Sequence, residues 1–154
     1  MHLSVWYKDE NYRRMVLIDR FEHPKFLINE AQTINLEPNY VMLQASSTTC
    51  TDNFDVYLHI DKNSIKDIKF VGEGCVISLT SSDLLIEQLV HKPIVEAIDL
   101  LEKYLLLVFD GKLVDNKKFP EALMLFDQIH KQSNRIICAS NVAQKILTYL
   151  KGLK

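Results

Sequence analysis

The chain has 154 residues, 47% of them hydrophobic and 25% charged, with a formal net charge of -2. That length can bury a core without disulfide staples, and the near-neutral balance provides no field to draw the chain to nucleic acid or anionic lipid. The longest apolar run, YLLLVF at 104–109, is far too short to span a bilayer, and the opening MHLSVWYKDENYRR lacks a signal-peptide pattern. The expectation is one cytoplasmic domain over residues 1–154, with no nucleic-acid or membrane partner.

Segment 9–22 (DENYRRMVLIDRFE) reads as a surface helix with a partial apolar stripe, stopped by Pro24. Residues 25–40 have no clean period and contain Pro38, so they read as an irregular connection. YVMLQAS (40–46) predicts a strand with Val41, Leu43 and Ala45 on one face. DNFDVYLHID (52–61) is the clearest strand, Phe54, Val56, Leu58 and Ile60 alternating with Asp55, Tyr57, His59 and Asp61. DKNS supplies turn chemistry, and IKDIKFVG (65–72) returns as a third strand, which makes an antiparallel meander.

From there the chain turns helical. Thr80-Ser81-Ser82-Asp83 has the pattern of a capping box ahead of Leu84, Leu85 and Leu89, although a start a few residues earlier also fits. Pro93 opens a helix whose face is Ile94, Ala97, Ile98, Leu101, Leu105 and Val108, and Gly111 ends it. A polar connection at 110–120 leads to a short helix over 120–131, and a last helix runs from about Ala139 to Leu150. The fold class is α+β: a three-stranded antiparallel sheet with helices packed on one face. His59 reads as solvent-facing, His91 as a helix-entry residue, and His23 and His130 as surface residues.

Three cysteines, Cys50, Cys75 and Cys138, cannot all pair with one another, so they are metal ligands, reactive thiols or packing. Each falls at an element boundary, where a core cysteine has no reason to collect. Asp52 lies two residues beyond Cys50, and in extended chain such residues point the same way. Three thiolates and one carboxylate suit Zn²⁺. Gly72 and Gly74 precede Cys75 and would let backbone turn tightly there.

Four stretches in order, NYRRMVLIDRFEHPKF, TTCTD, FVGEGCVIS and RIICA, resemble the landmarks of the NifU-like, IscU/SufU family of iron–sulfur cluster assembly proteins. The match runs from about Asn11 to Leu150, and the spacing from Cys75 to Cys138 is that of the SufU branch. The resemblance implies a sheet-plus-helices fold with the cysteines meeting at one end. It implies that Cys50, Asp52, Cys75 and Cys138 bind zinc, or hold iron or a transient [2Fe–2S] cluster in a scaffold role. It further implies a cysteine desulfurase partner, Cys50 as acceptor of persulfide sulfur, downstream assembly or apo-proteins as recipients, and Arg135 in the site's surroundings. The chain would then be a sulfur-relay partner of the desulfurase rather than a stand-alone enzyme. A zinc-stabilised interaction module without chemistry is the reading from another class.

The departures are specific. Thr51 stands where the family's C-G-D loop has glycine, and Ile137 where it has lysine or histidine, which favours Asp52 as fourth ligand. The motif by which IscU proteins engage a dedicated Hsp70 chaperone is missing before Cys138, so that partner is not expected. Zinc held by four anionic ligands leaves about -2 of local charge, for which Arg135 is the nearest cation in sequence. Cys50, borne on a loop, is expected to be the labile ligand.

Overall fold

A computed structural model describes residues 3–36, 39–46, 52–113 and 119–153. Asp9 caps the first helix, α1 (Glu10–Glu22), its carboxylate accepting from the amides of Asn11 and Tyr12. A 3₁₀ segment at Glu30–Asn35 lies within the connection, and the chain then enters strands β1 (Val41–Ser46), β2 (Asn53–Asp61) and β3 (Ser64–Glu73). They pair antiparallel in the order β1-β2-β3, the expected meander. The β2–β3 hairpin turns on Lys62 and Asn63, with φ of 53° and 63°. Two consecutive left-handed residues match the strand twist in a tight hairpin, and an asparagine tolerates that region well.

The alternation on β2 has the predicted sense. Phe54, Val56 and Leu58 are buried, and His59 lies on the other face, tilted over the Tyr40 ring. The buried face carries α2 (Val76–Leu89), α3 (Ile94–Asp110) and α4 (Ser133–Gly152): α4 lies on β1, α2 on β3, and α3 packs on α4. Gly111 ends α3 in the left-handed conformation, as its position predicts.

Three boundaries differ from expectation. The last helix begins at Ser133, six residues earlier, so Cys138 lies in its second turn rather than at its start. Residues 120–131 form two 3₁₀ segments, Glu121–Phe126 and Ile129–Lys131, instead of one α-helix. The α2 helix starts at Val76, so Thr80 to Asp83 are buried in its middle and cap nothing. The hydroxyls of Thr80 and Ser82 return to the carbonyls of Val76 and Ser78 one turn back, which satisfies them inside the core.

Asp83 is satisfied from outside its helix. It accepts from Arg20 of α1 and from the amides of Lys25 (2.9 Å) and Phe26 (2.7 Å). Glu87, one turn on, receives Arg20 and Lys25. Burial alone would lower the Arg20 pKa, but its bonds to the two carboxylates outweigh that and raise it. Burial alone would raise that of Glu87, and the two cations bring it below the ordinary value of 4.5. This bracket fastens α1 and the following chain to α2. No described helix is long and apolar enough to cross a membrane.

Candidate metal centre

The β3 strand delivers the chain to the site through Gly72 and Gly74. Gly72 has φ of +137°, and a Cβ there would lie 2.0 Å from the carbonyl oxygen of Asn53 on the neighbouring strand, so only glycine fits. Cys75 follows as the N-cap of α2, its sulfur accepting from the Ser78 amide at 3.4 Å. Asp52 leads into β2, and its carboxylate oxygen Oδ1 accepts from the Cys75 amide at 3.2 Å and the Ser78 hydroxyl at 2.8 Å. Cys138 projects from the second turn of α4, its Sγ 3.9 Å from the Asn134 carbonyl.

Residues 52, 75 and 138 therefore come from a strand entry, a helix cap and a third element. One carboxylate oxygen of Asp52 and the sulfurs of Cys75 and Cys138 all lie within 4.8 Å of one another. Cys50, with Thr51, lies outside the described residues. Asp52 and Cys138 are buried and Cys75 is half-buried, so the cluster sits at the edge of the core.

The residues present fit a metal ion. Asp52 Oδ2 is shielded from solvent and has no hydrogen-bond partner among the described residues, an arrangement that costs free energy unless something else engages it. Two sulfurs and a carboxylate oxygen are a donor set suited to zinc or iron, and a cation between them would engage that oxygen.

The electrostatic support comes from the start of α2, a role the sequence did not suggest for that helix. The amides of α2's first turn point at Asp52 and at the Cys75 sulfur, so the positive end of the helix faces the negative groups. Arg135, the cation expected to offset them, is half-buried in the first turn of α4. Its side chain has no hydrogen bond or ion pair among the described residues. Ser78 was not singled out from sequence, although it stands in FVGEGCVIS at the N3 position relative to Cys75. Val76 and Ile137, next in sequence to Cys75 and Cys138, are apolar and 38% exposed each.

The sequence matches the NifU-like N terminal domain over residues 11–133. The chain belongs to that family. It is 35% identical over 102 residues to the Mycoplasma pneumoniae "Uncharacterized protein MG337 homolog", covering 66% of this chain and 71% of that one. The "Iron-sulfur cluster assembly scaffold protein IscU" of Thermotoga maritima is 32% identical over 68 residues, 44% of this chain and 48% of that protein. The "Zinc-dependent sulfurtransferase SufU" of Bacillus subtilis is 25% identical over 134 residues, 82% of this chain and 81% of that one. The crystal structure of FiSufU from Fervidobacterium islandicum superposes with a TM-score of 0.75 at 22% identity, covering 87% of this chain and 93% of that one, which establishes the shared fold. The α+β architecture expected from sequence is that of this iron–sulfur cluster assembly family.

Proposed function

We propose that this member of the iron–sulfur cluster assembly family is a zinc-dependent acceptor and carrier of persulfide sulfur from a cysteine desulfurase. Zinc would be held by Cys50, Asp52, Cys75 and Cys138. The observation that carries the reading is the approach of Asp52, Cys75 and Cys138 to within 4.8 Å, with the Asp52 oxygen Oδ2 left unpartnered. Cys50 is two residues from Asp52 in the chain, a reach of at most about 7 Å, so it is close enough in sequence to complete the set.

Bound zinc would keep the thiols deprotonated while drawing on their lone pairs, which restrains their nucleophilicity until one is released. The sulfur to be released is that of Cys50, because Cys75 and Cys138 are fixed on helices and Asp52 is fixed by two donors. Once free, the Cys50 thiolate attacks the outer sulfur of the desulfurase persulfide. The desulfurase sulfur–sulfur bond breaks, its cysteine leaves as a thiolate, and Cys50 becomes the persulfide with no net redox change. Arg135 would be the cation to offset the negative charge, and the exposed Val76 and Ile137, next in sequence to Cys75 and Cys138, would offer an apolar contact to the docking protein. Downstream assembly proteins or apo-proteins would take the sulfur.

Desulfurase turnover with and without the chain tests this. Acceleration that disappears in Cys50→Ser is expected, and an unchanged rate contradicts it. A second reading, a scaffold for a [2Fe–2S] cluster on the same residues, is favoured by the likeness to the Thermotoga scaffold protein. It predicts a stable coloured cluster on reconstitution, where the sulfur-carrier reading predicts zinc that resists replacement by iron.

A further inference from the structure

The two oxygens of Asp52 have unlike surroundings. Oδ1 takes the Cys75 amide at 3.2 Å and the Ser78 hydroxyl at 2.8 Å, while Oδ2 is shielded and unpartnered among the described residues. Ser78 is 2% exposed and touches both neighbouring candidate ligands, since its amide also reaches the Cys75 sulfur at 3.4 Å. Its hydroxyl has one proton to give. The Cys75 carbonyl lies at 3.1 Å and the Asp52 carboxylate at 2.8 Å, so the proton goes to the nearer, charged acceptor.

Gly74 makes this possible. A Cβ at Gly74 would lie 2.3 Å from Ser78 Oγ and 2.7 Å from the Phe54 ring, so any side chain there would push the hydroxyl away. Its backbone is not in the left-handed region, so room is what requires glycine there.

From these contacts we infer that Ser78, given space by Gly74, is a positioning residue that holds the Asp52 carboxylate so that Oδ2 alone is offered to the metal. The inference rests on the metal-site reading above and adds which oxygen ligates and what selects it. A carboxylate fixed in advance has less freedom to lose when the ion arrives, which raises affinity. Offering one oxygen also suits a four-coordinate ion better than a hard cation that gathers six or more oxygens. Without the hydroxyl, Oδ1 keeps only the Cys75 amide and the carboxylate can turn to present both oxygens.

The test compares wild type, Ser78→Ala, Gly74→Ala and the double variant. Zn²⁺ affinity is read by competition with a chromophoric chelator, and the Co²⁺ absorption spectrum reports coordination number. Folding is checked metal-free by circular dichroism and thermal unfolding. Ser78→Ala is expected to fold, to bind zinc about 10- to 100-fold more weakly, and to give weaker Co²⁺ bands as a second oxygen joins. Gly74→Ala should lower affinity alone and lower it by clearly less once Ser78 is alanine, what remains being the clash with the Phe54 ring. Equal losses in the two backgrounds contradict the role of Gly74. Wild-type affinity and spectrum in Ser78→Ala overturn the inference and leave the metal site standing. A wild-type chain that binds neither ion overturns both. Should Ser78→Ala not fold metal-free, Gly74→Ala decides on the same criteria.

Discussion

Replacing Asp52 by asparagine and by alanine separates the hydrogen-bonding role of its carboxylate from the ligand role proposed for it. Alanine removes Oδ1 and strands the half-buried Cys75 amide, while the buried Ser78 hydroxyl gives up its charged acceptor and falls back on the Cys75 carbonyl at 3.1 Å. Leaving that amide unsatisfied and weakening the hydroxyl's bond costs about 1–3 kcal/mol, which corresponds to a fall in Tm of roughly 2–12 °C for a chain this size. Asparagine keeps an acceptor at Oδ1 and puts an amide nitrogen where Oδ2 stands, so the metal-free protein should stay within about 1 kcal/mol of wild type. Both substitutions remove the ligating oxygen, and both should weaken zinc binding by roughly a hundredfold or more. Chelator competition for zinc and thermal unfolding of the metal-free proteins measure the two effects independently. Wild-type zinc affinity in Asp52→Asn would refute the ligand role of the carboxylate. Equal metal-free stability of the two variants would refute the structural role of Oδ1.

The other predictions concern the supports and surface of the site. Asp83→Ala leaves Arg20 charged and deprived of its buried partner, and thermal unfolding should show a loss of about 3–5 kcal/mol, roughly 10 °C in Tm. The folded-state pKa of Glu87 is depressed, so its contribution is present above the ordinary value of 4.5 and is lost as pH falls below that toward the folded-state value. Denaturant titrations of Glu87→Gln should therefore show a flatter fall in stability with acid below that pH than wild type does. Ile137→Asp should leave zinc content and Tm within error of wild type but raise the half-saturating concentration in a desulfurase stimulation assay, because Ile137 is 38% exposed beside Cys138. Alkylation of the zinc-loaded protein should label Cys50 first when desulfurase is added, and earlier labelling of Cys75 or Cys138 would reverse the assignment of the labile ligand.

The sheet was legible because one of its faces is buried. Alternation along β2 survives wherever one side of a strand meets the core and the other does not. The α3 helix was legible for the same reason, its apolar stripe being bounded by Pro93 and Gly111. The α2 helix was misread at its start because it is enclosed on most sides. Leu79, Leu84, Leu85, Ile86 and Leu89 are all buried, which blurs the period that reports a helix, and its N-cap is a cysteine instead of the usual hydroxyl or carboxylate. The polar run Thr80 to Asp83 then resembled a cap, although its three hydroxyls close back on the helix and Asp83 meets Arg20 from 63 residues away.

The candidate site divides in the same way. Asp52, Cys75 and Cys138 were found from residue type, boundary placement and resemblance, and they converge. Ser78 and the first-turn amides of α2 were missed because their roles arise from a contact between residues 52 and 78 that no local pattern encodes. Arg135 was named for its nearness in sequence, yet the donors that reach Asp52 and the Cys75 sulfur belong to α2.

The central claim is that one ion sits among these ligands. The zinc K-edge X-ray absorption spectrum of the purified wild-type chain tests it most directly. The expected result is one zinc per chain with three sulfur neighbours at about 2.3 Å and one oxygen at about 2.0–2.2 Å. A zinc-loaded protein with only nitrogen and oxygen neighbours, or a folded chain that takes up no zinc at all, would contradict it.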